Sequence, residues 1–255
     1  MTQSIRERAA RLASVPEDEF RIYTLGDGVG HVELTDFQGG DKEMVMRARK
    51  THKSMHRSAP EADRKLNSQL VAGRPMHGSA TRNTSLTFDL VMPLSTLRQL
   101  TRHLVGVNVD GTDVWRTGTD TFEYAGAFNE MSLRYVRMND ARFYIPCDDR
   151  PKMSQEARIE IMSAIASAMD YYGQLLTMLP PELARDYLPT SVYSMAELTL
   201  SWQGMANIYN ERRHGSGAQW ELSQYVEAAW CLCKRFVAPQ ACEHYEESIR
   251  QDGRR

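Results

Sequence analysis

The arginines and histidines carry most of the chemistry legible in this chain. In the segment Leu94–Leu104, Arg98 and Arg102 stand four residues apart, as do Gln99 and His103. On a helix that spacing makes two adjacent polar stripes, away from the apolar side formed by Leu94, Leu97 and Leu104. Arg185 follows Glu182-Leu-Ala, and Arg212, Arg213 and His214 run directly into Gly215. One at a time, each has an ordinary structural explanation: a cation in the last turn answers the helix macrodipole, and a glycine ends the helix. Together with Arg134 they are the number of guanidiniums expected around a bound phosphate and a pyrimidine carbonyl. The planar fork of arginine suits such oxygens because it donates two parallel hydrogen bonds.

Other chemistries find no support. The chain has no nucleophile elbow, phosphate-binding Walker loop, paired-histidine metalloprotease helix or dinucleotide glycine fingerprint. Cys231, Cys233, Cys242 and His244 suggest a zinc cluster, but a spacing of two in a helical pattern points Cys231 and Cys233 to nearly opposite sides. These three cysteines read better as small apolar residues of the core, with no metal expected, and four cysteines with Cys147 are too sparse for a disulfide scaffold.

The elements that must position the arginines follow from periodicity. An arginine-rich helix is expected over 3–13. Strands are expected over Phe20–Thr24 and His31–Phe37, joined as a hairpin around Gly26-Asp27-Gly28. Helices follow from Asp41 to about Lys50 and from Pro60 to about Val71, then a strand over Ser85–Val91 and the arginine-bearing helix opened by Pro93. Val105–Phe128 shows no clear period. A strand is expected near Arg142–Pro146, and helices over Ser154–Met178, after Pro181, and over Met195–Arg213, Ala218–Phe236 and Pro239–Arg250. In the 195–213 segment, Leu198, Trp202, Met205 and Tyr209 fall at helical spacing and read as core.

The chain of 255 residues has 31 basic and 33 acidic side chains, a formal charge of −2. No net positive field for duplex nucleic acid results. No apolar run approaches the ~20 residues of a membrane helix, and charged Met1–Arg11 is not followed by the apolar stretch of a secretory signal. A cytoplasmic protein without nucleic-acid or membrane partners is expected. No repeat or linker divides it, so residues 1–255 are expected to form a single helix-rich α+β domain with a central, mostly antiparallel sheet.

Arg102-His103 and Asn129-Glu130-Met131-Ser132-Leu133-Arg134-Tyr135 resemble the two halves of the signature of flavin-dependent thymidylate synthases, Arg-His-Arg and Asn-Glu-x-Ser-x-Arg-Tyr. The resemblance covers most of the chain. It includes His31–Asp36 leading to Gly39-Gly40-Asp41, Ala48–Thr51, His77 with Ser79, Phe143–Pro146, Glu182–Arg185, Asn207–Arg212 and Ala218–Glu221. There are departures: Leu104 replaces the third signature arginine, Ser201 and Gln203 stand where the family favours Asn-x-Arg, and Gly217 replaces a histidine. The 25 residues 104–128 between the signature halves replace a handful. A non-regular insert of that length reads as a lid carrying Trp115, Phe122, Tyr124 and Phe128 for stacking on a ring, or as a loop that its aromatics anchor to the surface. A long insert here is similar to the branch that methylates uridine monophosphate in polyoxin-type nucleoside antibiotic biosynthesis.

The resemblance implies FAD as cofactor, NADPH and 5,10-methylenetetrahydrofolate as cosubstrates, a uridine monophosphate as substrate, and a homotetramer with shared active sites. It places Gln99, Ser132, Arg134 and Arg185 on the nucleotide phosphate and sugar, with Leu133 in the same set. Arg102 and Glu130 fall between nucleotide and flavin, and Thr51, His77, Ser79, His103 and Asn207 on the flavin. Glu130 and Arg212 are the catalytic pair, with Arg212 facing the uracil edge; one extra residue between Asn207 and Ala218 leaves Arg213 as the alternative. Three activities follow: C5-methylation of UMP and also of dUMP, an ordinary thymidylate synthase restricted to dUMP, or a nucleotide-binding protein without turnover.

Overall fold

Strict alternation sets the centre of the sheet. In Ser85–Pro93, Leu86, Phe88, Leu90 and Met92 are buried; in Tyr193–Ser201, Ala196, Leu198 and Leu200 are buried while Met195 and Glu197 are exposed. The structure, a computed structural model, describes residues 16–73, 76–103, 107–108, 122–123, 126–131, 141–147 and 149–252. The helix expected over 3–13 lies outside them. The strands are β1 (Arg21–Tyr23), β2 (His31–Gln38), β3 (Ser85–Pro93), β4 (Val107–Asn108), β5 (Phe122–Glu123), β6 (Gly126–Glu130) and β7 (Tyr193–Ser201). Five form an antiparallel sheet in the order β1-β2-β3-β7-β6, and β4 pairs with β5 apart from it.

The register depends on one bulge. Leu34 pairs with Phe88 and Asp36 with Thr87, which leaves Thr35 as the extra residue. Without it the period of two would send Asp36 after Val32 and Leu34 into the core; with it, Phe37 takes that place. The β1–β2 hairpin forms as expected, around a loop in which Gly26 and Gly28 have φ of 71° and 69°. Asp27 Oδ1 accepts from the amides of Val29 (2.9 Å) and Gly30 (3.1 Å).

The helices are α1 (Asp41–Thr51), α2 (Pro60–Ala72), α3 (Gly78–Thr81), α4 (Leu94–Thr101), α5 (Gln155–Leu175), α6 (Pro181–Ala184), α7 (Trp202–Arg212), α8 (Trp220–Leu232) and α9 (Pro239–Asp252). The main core joins the apolar side of β2, β3 and β7 to α7, α8 and α9, with Trp202 fully buried and Tyr209 stacked on Trp230 at 4.4 Å. Cys233 and Cys242 lie in this core with sulfurs 3.8 Å apart, whereas Cys231 is exposed, contrary to the core place expected for all three. A smaller core joins Tyr172 and Leu175 of α5 to Ala184 and Val192. The fold is α+β and helix-rich around an antiparallel sheet.

Three expectations need correction. Residues 195–201 are not helical: they continue β7, because pairing with β3 on one side and β6 on the other rewards alternation there. Leu198 satisfies both periods and so misled the helical reading. Near Arg142–Pro146 only Phe143 bridges, to Val192. The insert is also more regular than expected: β4 pairs with β5, and residues 126–130 are an edge strand on which Phe128 is half-buried against the main core. Phe128 is thus a packing residue of the sheet.

Candidate active site

Pro93 lets the chain turn from β3 straight into α4, and the first amides of that helix are satisfied by the segment that leads into β7. Leu94 N donates to Val192 O and Ser95 N to Thr190 O, both at 2.9 Å. That fixes α4 next to the entrance of β7. On the far side of β7, Met131 N donates to Met195 O (2.8 Å), which holds the end of β6 in line. Between α4, the end of β6 and the Arg185–Tyr187 turn lies a cleft of about 630 Å³.

Arg98, Glu130 and Arg185 line this cleft, with Leu94, Leu188 and Val192 as apolar wall. Glu130 Oε1 accepts from the buried Ser194 hydroxyl (3.1 Å), which orients the carboxylate. Arg185 Nε donates to Glu182 O (3.1 Å), and its guanidinium is 3.9 Å from Asp186. Two guanidiniums and two carboxylates, Glu130 and Asp186, line the cleft beside its apolar residues, and the arginine forks suit an anionic group joined to a flat polar ring. Arg98, a candidate guanidinium by its i, i+4 spacing to Arg102, has no role in the family resemblance, yet it lines the cleft.

A second group forms where α4 and α7 end. Arg212 Nε donates to His103 Nε2 (2.7 Å), and His103 Nδ1 lies 3.3 Å from a Glu211 carboxylate oxygen. Burial lowers the His103 pKa, the Arg212 charge lowers it further, and Glu211 opposes both. Arg213 is tied back to its own helix, donating to the carbonyl and the side-chain oxygen of Asn210. Arg102, one residue past α4, is exposed.

Gln99 faces a third group. Its amide donates to Gln219 Oε1, Gln219 donates to Glu221 Oε2 (2.9 Å), and Glu221 Oε1 accepts from Arg150 (2.9 Å) and the Tyr144 hydroxyl (3.2 Å). Burial alone would raise the Glu221 pKa; the Arg150 hydrogen bond, a backbone amide and Gln219 hold it below the ordinary carboxylate range. Burial first, then the Glu221 charge, pushes Tyr144 far upward.

The residues matched to flavin positions lie on neighbouring elements. Thr51 ends α1, His77 and Ser79 lie at the start of α3, which packs on α1, and Asn207 lies on α7. A bond from Thr81 Oγ1 to Gln203 Oε1 (3.1 Å) joins α3 to α7. His77, Ser79, Arg102 and Asn207 are exposed, and among the described residues their side chains have no partner. Ring nitrogen, hydroxyl, guanidinium and amide are therefore free for the edge of a heterocycle and for phosphate oxygens, which fits a flavin dinucleotide. Ser201 and Gln203 are engaged elsewhere, Ser201 as the cap of α7 and Gln203 with Thr81. Ser132, Leu133, Arg134, Trp115 and Tyr124 lie outside the described residues, as does Leu104, and Phe122 is described in its backbone alone.

This fold and these side chains fit a nucleotide-handling enzyme, and the similarity to known proteins gives its class, a flavin-dependent, thymidylate synthase-like methyltransferase. Residues 33–240 match the family described as thymidylate synthase complementing protein. The chain is 30% identical over 215 residues to the flavin-dependent thymidylate synthase of Thermosipho africanus, covering 77% of this chain and 82% of that protein. It is 30% identical over 204 residues to the one of Thermotoga neapolitana, covering 78% and 83%. Among solved structures it resembles the UMP/dUMP methylase PolB from Streptomyces cacaoi. With 5-Br dUMP bound, the TM-score is 0.69 at 25% identity over 85% of this chain and 94% of that one; with 5-Br UMP it is 0.66 at 25% over 86% and 94%. The chain belongs to the flavin-dependent thymidylate synthase family.

Proposed function

We propose that the protein methylates C5 of uridine monophosphate, accepting both UMP and dUMP, with FAD as cofactor and NADPH and 5,10-methylenetetrahydrofolate as cosubstrates. The observation that carries the reading is the cleft in which Arg98 and Arg185 stand around Glu130. In this reading Arg185, with Ser132, Leu133, Arg134 and Gln99, holds phosphate and sugar. Arg98 joins them as a second guanidinium at the cleft. Glu130, oriented by Ser194, takes a polar edge between nucleotide and flavin, next to Arg102. Arg212 stabilises negative charge on the uracil ring, an electrostatic role that typically supplies several kcal/mol. FAD falls to Thr51, His77, Ser79, His103 and Asn207; when bound and reduced it activates the pyrimidine without a cysteine adduct.

The likeness to a methylase solved with both 5-bromo nucleotides supports UMP as well as dUMP. The proposed unit is one domain over residues 1–255, assembled as a homotetramer. Ile159 and Met162, three residues apart, give the long α5 an exposed apolar side of the kind that subunits cover. No described helix is long and apolar enough to cross a membrane. The test is incubation with UMP or dUMP, methylenetetrahydrofolate, NADPH and FAD, followed by mass analysis of the nucleotide. A methyl group added to both supports the proposal; methyl transfer to dUMP alone returns the protein to ordinary thymidylate synthesis, and none to either refutes turnover.

A further inference from the structure

Helix α1 ends in a closure that is chemically unusual. Lys53 N donates to Lys50 O (3.1 Å) and Ser54 N to Arg49 O (2.9 Å), the paired bonds of a Schellman motif. The residue at the left-handed position, φ 51°, is Lys53. Glycine or asparagine normally stands there, because a β-carbon crowds the backbone. Lys53 lines a groove of about 550 Å³ between the end of α1 and α2, together with His52, His56, Arg57 and Lys65. No carboxylate lines it. Arg49, in its wall, is neutralised by Asp63 (2.6 Å), whereas Lys53, Arg57 and Lys65 have no ion-pair partner among the described residues.

Three cationic side chains and two imidazoles thus share one groove, with no carboxylate in its lining. These exposed side chains share one lining, and an anion between them relieves their mutual repulsion. The site contains none of the residues placed above on nucleotide or flavin. We infer that this groove binds the phosphate monoester of a nicotinamide dinucleotide, and so selects NADPH over NADH. A monoester carries up to two negative charges and three acceptor oxygens, which matches several separate cations better than a single carboxylate does. The inference rests on the reading of NADPH as the reducing cosubstrate.

The test measures Kd for NADPH, NADH and adenosine 2′,5′-bisphosphate on the full chain, comparing wild type with Lys53→Gly and with the double variant Arg57→Ala/Lys65→Ala. In both variants Kd for NADPH and for the bisphosphate rises, by roughly tenfold or more in the double variant, and that for NADH stays. Lys53→Gly also raises Tm, because glycine fits the left-handed position, so weaker binding in that variant is not a failure to fold. Unchanged affinities in folded variants, an equal change for NADPH and NADH, or weakening confined to methylenetetrahydrofolate would each overturn the assignment. If no uridine nucleotide is methylated yet the bisphosphate binds and is lost in the variants, the reaction fails and the groove stands. If methylation proceeds and the variants keep their NADPH preference, the groove alone fails.

Discussion

Arg212 Nε donates to His103 Nε2 across 2.7 Å, joining the ends of two helices 109 positions apart. A guanidinium stays protonated and accepts nothing, so the accepting imidazole nitrogen carries no proton. His103 is therefore neutral, with its proton on Nδ1 toward Glu211, 3.3 Å away. The consequence is a neutral ring at a flavin-matched position and an Arg212 whose Nε is occupied while, among the described residues, its two terminal nitrogens have no partner.

A titration checks this. The folded His103 pKa lies below the ordinary 6.5 because of burial and then the Arg212 charge. The unfolded chain therefore takes up this proton first as pH falls. The stability held by neutral His103 is complete above about 6.5, declines as pH drops through the folded value, and is constant below it. NMR of the imidazole should give a midpoint below 6.5 that rises in Arg212→Ala and falls further in Glu211→Gln. A midpoint that ignores Arg212→Ala would show that the pair is not formed.

The two adjacent arginines separate in turnover. Arg213 donates to Asn210 and caps its own helix, whereas Arg212 reaches across to α4. Arg212→Ala should lower kcat by roughly 10²-fold with the fold retained, and Arg213→Ala should leave kcat within a few-fold while lowering Tm. The opposite pattern, with Arg213→Ala inactive, would move the uracil-facing role by one residue.

The order of elements was legible because β3 and the helices α1, α2, α8 and α9 each obey one period, and β2 does so up to its bulge at Thr35. At 193–213 two periods overlap: Leu198, Trp202 and Met205 satisfy a helix, while Ala196, Leu198 and Leu200 satisfy a strand. What decides is pairing with β3 and β6, which is not local information. In the site, residue types and spacing pointed to Arg98 and Arg185 as candidate guanidiniums, whereas Glu130 came from the family resemblance and nothing local set the three around one cleft. Nor did they show that Gln99 turns toward Gln219 and Glu221. Such contacts join residues more than a hundred positions apart, and a chain read along its length does not display them.

The strand-to-helix switch makes its own prediction. Ser201 is extended, at φ −75° and ψ 160°, and its hydroxyl accepts from Gly204 N at 3.1 Å, so one residue ends β7 and caps α7. Ser201→Ala should cost about 1 kcal/mol in urea unfolding, and Ser201→Asp should recover most of it. Loss of stability in both would mean that the hydroxyl serves something other than the cap.

The last expectation concerns Glu221, buried to 3% exposure between Arg150, Tyr144 and Gln219. Removing the carboxylate leaves a partly exposed guanidinium and a buried hydroxyl without their acceptor. Arg150 keeps access to water, so the full penalty of an orphaned buried charge does not apply, and Glu221→Ala should cost roughly 2 kcal/mol. Because the folded pKa is depressed, the stabilisation is complete above the ordinary value of 4.5 and is lost as pH falls through the folded value. Urea unfolding from pH 7 down to pH 3 should therefore show a steeper decline for wild type than for Glu221→Gln. The same variants bear on substrate binding: Glu221 accepts from Gln219, which in turn accepts from Gln99. Without that anchor Gln219 can turn, and Gln99 loses the acceptor that orients it. Glu221→Gln should therefore raise KM for the nucleotide several-fold with little change in kcat. A variant that loses stability while KM holds would make the network a structural clamp with no part in placing the substrate.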